Sequence, residues 1–163
     1  MNMKQPFERV YEEYYDKIYS YVFSILLNRS NAENIVQDTF LAALENYRLF
    51  DPERSSVRTW LTRIAHNKTV NFVRSSAYRN EEFTGELPET ASEADETEQV
   101  EINDIVIRLF AVITPKERDY LELRYAMELS DSEIAQICGI SPKAVSMRYQ
   151  RLLKKCRDIL KKM

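Results

Sequence analysis

The 163 residues carry 44% hydrophobic and 30% charged side chains, the balance of a folded chain long enough for one ordinary domain or two small ones. The formal charge of −3 divides unevenly: residues 1–80 are net +2, residues 81–101 hold nine acidic and no basic side chains, and residues 102–163 are net +4. Only two glycines occur, Gly85 and Gly139, which excludes a glycine-rich phosphate loop or dinucleotide-binding turn and favours an all-helical chain.

In chain order, residues 5–80 read as a first module of four helices. The stretch "FERVYEEYYDKIYSYVFSILL" places Phe7, Val10 or Tyr11, Tyr14, Ile18, Tyr21 or Val22 and Ile25 on one broad apolar stripe. The next helix, "SNAENIVQDTFLAALENYRLF", opens with Ser30 as the expected cap and Glu33 three residues later as its box partner. Ile35, Val36, Phe40, Leu41 and Leu44 form its expected buried face. Asp51-Pro52 interrupts the helical pattern, and Ser56 can cap a third helix, "VRTWLTRIAHNKTVNFVRS". Its inner stripe is Val57, Trp60, Leu61, Ile64, Ala65 and Phe72. Arg58, Arg63, His66, Asn67, Lys68 and Arg74 occupy its other faces, beside the aromatics Tyr47, Phe50 and Trp60. Basic and aromatic side chains together suit unstacked single-stranded bases, although Trp60 itself reads as core.

Residues 81–101, with Gly85 and Pro88 among nine acids, read as a solvated linker. Nearly extended, such a segment reaches roughly 70 Å, so the modules on either side are expected to move relative to each other in the free protein.

Residues 102–163 form the second module. Thr114-Pro115-Lys116-Glu117 combines a cap, a proline at the first helical position and a box glutamate, and Ser130-Asp131-Ser132-Glu133 repeats the box. The short helix "DSEIAQIC" ends at Gly139, and Ser141-Pro142 starts "PKAVSMRYQRLLKKCRDILKK". A short helix, a glycine turn and a capped longer helix have the form of a helix-turn-helix, the major-groove reader of duplex DNA. Ile134, Ala135, Ile140, Val145, Tyr149 and Leu152 hold the two helices together in this reading. From residue 143 to the end there are eight basic residues and one acidic one, against which a helical hairpin with a solvated basic face is the bland alternative.

Cys138 and Cys156 with the single histidine, His66, make neither a disulfide framework nor a zinc cluster. No metal or cofactor is expected, and nothing places Glu33, Asp38 and His66 in reach of one another for hydrolysis. The sequence has no apolar run of membrane-spanning length and no secretory leader, so a cytoplasmic location is the expectation. A lone repressor or activator would use the same helix-turn-helix but ordinarily needs a dimer surface or sensor pocket.

The pieces "NAENIVQDTFLAAL", "FDPERSSVRTWLTRIAHN" and "LSDSEIAQICGISPKAVSMRYQRLLKK" closely resemble regions 2 and 4 of the extracytoplasmic-function (ECF) class of bacterial RNA polymerase sigma factors. They stand in the family's order, on either side of its variable acidic linker, and the resemblance covers roughly residues 5–160. It implies a non-catalytic subunit that binds core RNA polymerase and directs transcription initiation. Glu33, Asn34, Gln37, Asp38 and Leu41 would meet the clamp helices of the polymerase largest subunit. Arg54, Ser55, Ser56, Arg58, Arg63, His66 and Asn67 would read and open the −10 promoter element. Ser141, Pro142, Lys143, Ser146, Met147, Arg148 and Arg151 would read the −35 element in the major groove. An anti-sigma factor is a further implied partner. Ser146 stands where the family often has lysine, Leu153 where arginine is frequent, and Asn71 where aspartate is common.

Overall fold

The computed structural model describes residues 4–75 and 96–163, with side chains from residue 104 onward in the second stretch. All regular structure among these residues is helical. Helix α1 (Phe7–Leu26) buries Val10, Ile18, Val22 and Ile25 and ends at Leu27, whose φ of 54° is left-handed. A leucine in that conformation costs about 1–2 kcal/mol, and burial of its side chain offsets this. Asn28 follows in extended conformation, and its side chain accepts the Asn31 N–H at 2.9 Å. Helix α2 (Arg29–Asn46) therefore starts one residue before Ser30, which corrects the expected cap. The Ser30–Glu33 pair lies inside the first turn and not at its edge.

A 3-10 turn (Tyr47–Leu49) ends α2, and the Asp51 carboxylate accepts the Glu53 N–H at 2.9 Å to close the Asp51-Pro52 turn. Ser56 then caps helix α3 (Val57–Arg74) by accepting the Thr59 N–H at 3.1 Å. Among the described residues this module has three α-helices and the 3-10 turn, against the expectation of four helices.

In the second stretch helix α4 (Glu96–Val112) begins inside the segment read as linker; residues 81–95 of that segment lie outside the described residues. Helices α5 (Pro115–Tyr125), α6 (Asp131–Cys138) and α7 (Pro142–Lys161) follow. Both capping boxes form: Thr114 with Glu117 and Ser130 with Glu133 each exchange two hydrogen bonds. Gly139 takes φ 70° at the end of α6, the left-handed conformation that only glycine adopts freely.

The two modules share one core. Helix α1 packs on α2 and α3 with one side and on α5 with the other, so residues 21–27 are buried without a break. A helix end buried on every face is apolar on every face, which "YVFSILL" satisfies. The hydrophobic cluster runs continuously from Val10 to Cys156. This arrangement differs from the expectation of modules that move apart freely. The second module supplies the cover that the C-terminal half of α1 requires.

Candidate partner-binding and nucleic-acid surfaces

On α2 the inward face is Ala32, Ile35, Val36, Thr39, Phe40 and Ala43. Glu33, Asn34, Gln37, Asp38 and Leu41 are all exposed, and their spacing puts them on one stripe of the helix. Leu41 and Leu44 are 56% and 54% exposed, which corrects their placement on the buried face. Thr39 and Ala43 occupy the core instead, the Thr39 hydroxyl satisfied by the Ile35 carbonyl at 2.7 Å. Leu49, in the turn beyond the helix end, is 82% exposed as well. Contiguous exposed leucines on an otherwise well-packed helix mark a surface made to be covered.

The residues around the start of α3 divide between two environments. Arg54 and Ser56 are exposed, Ser55 is half-buried, and Arg63 and Asn67 stand one turn apart on the solvent side of α3. Beside them Tyr47, Phe50 and Trp60 form an aromatic cluster, with the Phe50 and Trp60 ring centres 4.8 Å apart. The Lys4 ammonium lies 5.3 Å from the Tyr47 ring centre and donates to the Tyr47 and Arg48 carbonyls at 2.8 and 3.0 Å. Trp60 is half-buried, a wall of the core and not an exposed stacking platform. Lys4 is a residue the sequence reading passed over, because nothing near it in sequence points to a ring 43 positions away.

The opposite side of α3 faces the second module. His66 is buried, and its Nδ1 lies 2.9 Å from the Asp119 carboxylate on α5; its expected place on an outward nucleic-acid face is therefore corrected. Tyr21 donates its buried hydroxyl to the same carboxylate and approaches His66 Nδ1 at 3.4 Å. Burial and the neighbouring Asp119 charge hold the Tyr21 hydroxyl well above its ordinary pKa. Next to Asp119, the buried Arg118 guanidinium donates to the Ile25 carbonyl at 2.8 Å and 3.1 Å and to the Phe110 and Ile113 carbonyls at 2.7 and 2.8 Å. One cation thus satisfies carbonyls left over at the ends of α1 and α4. Glu122 sits beside them, hydrogen-bonded to Ser24, and burial pushes its carboxyl up to about 7.

Nearer the start of α3, Arg58 lies 3.6 Å from Glu128, and the Thr59 hydroxyl donates to Glu133 at 2.5 Å. A cleft of about 340 Å³ opens between the modules, walled by Val70, Val73 and Pro115, with Arg74, Lys116 and Arg148 also lining it.

In the helix-turn-helix, Val145, Tyr149 and Leu152 of α7 are buried against Ile134 and Ala135 of α6. Ser141 accepts the Ala144 N–H at 3.1 Å to start α7. Pro142, Lys143, Met147, Arg148 and Arg151 are exposed and Ser146 is half-buried, a basic outward face above a packed inner one. Arg148 donates to the Tyr120 hydroxyl at 2.7 Å, which aims the guanidinium. Lys155 pairs with Glu117 at 2.7 Å, tying α7 to α5. Among the described residues no group of carboxylate, histidine or cysteine side chains has the arrangement of a metal site, and no helix is long and apolar enough to cross a membrane.

The sigma-70 region 2 family matches residues 10–78 and the sigma-70 region 4 family matches residues 103–156. The chain is 30% identical to the ECF RNA polymerase sigma factor SigW of Bacillus subtilis over an alignment of 177 positions, gaps included, covering 96% of this chain and 91% of SigW. It is also 30% identical to the RNA polymerase sigma factor YlaC of the same organism, covering 93% of this chain and 90% of YlaC. The ECF sigma factor BldN of Streptomyces coelicolor is 26% identical over 94% of this chain, which spans only 60% of BldN. Among solved structures, the sigma factor RpoE of Bartonella quintana, in complex with the anti-sigma factor NepR, superposes with a TM-score of 0.74 at 20% identity, covering 95% and 96% of the two chains. CnrH, in complex with the cytosolic domain of CnrY, gives 0.70 at 24% identity over 95% of this chain and 87% of CnrH; at such identities these two likenesses establish the fold. With both regions matched in order and close relatives covered nearly end to end, the chain belongs to the ECF class of the sigma-70 family of RNA polymerase sigma factors.

Proposed function

We propose that the protein acts in the cytoplasm as the promoter-selecting subunit of a bacterial RNA polymerase, contributing recognition and no covalent chemistry of its own. The observation that carries this reading is the presence on one chain of two unlike exposed surfaces: the α2 stripe with its uncovered leucines and the capped basic face of α7. Glu33, Asn34, Gln37, Asp38 and Leu41 suit a basic partner helix with an apolar ridge, and they are assigned to the polymerase clamp. Arg54, Ser55, Ser56, Arg58, Arg63 and Asn67, with His66 once uncovered, are assigned to the −10 strand, where unstacked bases are read.

Ser141, Pro142, Lys143, Ser146, Met147, Arg148 and Arg151 are assigned to the −35 duplex. The N-terminal amides of α7 meet a phosphate, and the arginines reach phosphate or a guanine edge. An anti-sigma factor is the regulatory partner that fits such a chain, as in the complex of RpoE with NepR.

Reconstitution with core polymerase, followed by sequencing of transcripts from a random promoter library, tests the reading directly. Asp38→Arg should weaken polymerase binding at unchanged helicity. Arg148→Ala should cost about 1–3 kcal/mol at one −35 base pair. Asn67→Ala should slow opening of a paired −10 region while leaving −35 binding intact. A chain that fails to bind core polymerase would overturn the proposal.

A further inference from the structure

On the reading that the segment from Arg54 to Asn67 meets the −10 strand, we infer that Lys4 is a positioning residue for that strand: residues 4–7 form a strap that fixes the turn from which the reading loop leaves α2. Pro6, with φ −56° and ψ 143°, stands outside α1, and a proline disfavours helix at the residue before it. The chain ahead of α1 is thus a short arm, and it lies against the end of α2. The Lys4 ammonium donates to the Tyr47 carbonyl at 2.8 Å and to the Arg48 carbonyl at 3.0 Å. Both are carbonyls at a helix end, where a cation is favoured. The Tyr47 hydroxyl donates back to the Gln5 carbonyl, and the Phe7 and Tyr47 rings meet edge to face with centres 5.3 Å apart.

The strap and the buried Phe50 ring anchor the loop at long range. The Tyr47 carbonyl that accepts from Lys4 also accepts the Phe50 N–H at 3.2 Å, and Phe50 is buried with its ring centre 4.8 Å from that of Trp60. Beyond Phe50 the described bonds are local. The Asp51 carboxylate takes the Glu53 N–H at 2.9 Å, and the Asp51 carbonyl takes the Arg54 N–H at 3.1 Å. Arg54 and Ser56 then stand exposed. Among the described residues, the hydrogen bonds that tie this turn to a distant part of the chain come from residues 4 and 5. A loop held in its binding shape beforehand loses less freedom when it binds. Releasing the strap spreads the loop over more arrangements and lowers its affinity for the strand.

The test uses full-length chains reconstituted with core polymerase. The probe is a labelled promoter recovered from the random library, already mismatched across the −10 region and titrated at several salt concentrations. Lys4→Met removes the ammonium, Lys4→Arg keeps the charge and the donors, and Tyr47→Phe removes the bond to Gln5 with no change of charge. Trp60 is the single tryptophan, and its ring centre lies 6.0 Å from that of Tyr47. Its emission and its quenching by acrylamide therefore report the cluster directly, while circular dichroism confirms equal helicity. If the binding-competent arrangement of the loop falls to about one-fifth of the chains, promoter affinity falls about fivefold.

The expected result is a loss of about that size in Lys4→Met and Tyr47→Phe, with an altered Trp60 signal, unchanged affinity for core polymerase and an unchanged dependence on salt. Lys4→Arg should bind as the parent does. A salt slope smaller by about one in Lys4→Met, with Tyr47→Phe like the parent, would make Lys4 a direct phosphate contact and overturn the inference. Variants that match the parent in promoter binding would overturn it too, as would a loss that Lys4→Arg does not recover. Failure of the parent itself to bind core polymerase is a different result: it overturns the proposed function, and this inference with it.

Discussion

Three positions carry disproportionate weight for single residues. Asn28 caps α2 through its side chain, so Asn28→Ala should cost about 1 kcal/mol, while Ser30→Ala, exposed and past the cap, should cost little. Urea unfolding of the two variants distinguishes them, and equal losses would return the cap to Ser30. At Gly139 an added Cβ meets nothing within 4 Å, so Gly139→Ala carries only the cost of its φ of 70°, about 1 kcal/mol. The third is His66. It follows Ala65 at the edge of the apolar stripe, where period alone cannot assign it to core or solvent. Its partner Asp119 lies on another module.

At the scale of the element, α2 shows how periodicity can find a helix and still misplace part of its face. A stripe drawn through the largest apolar residues includes Leu41 and Leu44, but close packing against α1 and α3 selects the small Ala32 and Ala43 with Thr39. Small residues let the helices approach, and the helix turns its leucines outward. Leu44→Lys should therefore change stability by no more than about 0.5 kcal/mol, whereas Val36→Ala, at a fully buried position, should cost about 1–3 kcal/mol. Denaturant midpoints check both values. The same Leu44→Lys chain, titrated with core polymerase, should bind more weakly if the uncovered leucines are part of that interface. The Thr114 and Ser130 boxes and the Gly139 turn are the opposite case: each is decided within a few residues, and each formed where its sequence placed it.

For the whole molecule, the contact between modules is built around ionisable groups. Glu122 faces Ser24 and the Asp119 charge, with Tyr21 of α1, His66 of α3 and Cys138 of α6 gathered around Asp119. Burial raises the Glu122 carboxyl from 4.5 to about 7, so closing the contact takes up a proton. Closure is therefore strongest below about pH 4.5 and is lost progressively as pH rises to about 7, at up to about 1.4 kcal/mol per pH unit for one proton. Scattering at pH 5.5 and pH 8 should find the chain more expanded at the higher pH. Glu122→Gln should flatten that dependence, and a parent chain equally compact at both values would contradict it.

The helix type, the caps at Ser56, Thr114, Ser130 and Ser141, the helix-turn-helix and the family were legible in the linear order of residues, because each depends on neighbours within a turn or two or on quoted motifs, whereas the cap of α2 was misplaced by two residues. The exposed polar stripe of α2 was marked by the family resemblance, and its spacing is helical whatever packs behind it. The docking of the modules was not legible, because the acidic stretch between them reads as a spacer. The features that join them, Tyr21 with His66 and Asp119, Arg118 on the Ile25 carbonyl, and Thr59 with Glu133, link positions dozens of residues apart. The sequence did contain one indication, the unbroken "YVFSILL" run at the end of α1. A helix end apolar on every face needs cover on every face, but only the folded chain showed that α5 supplies it.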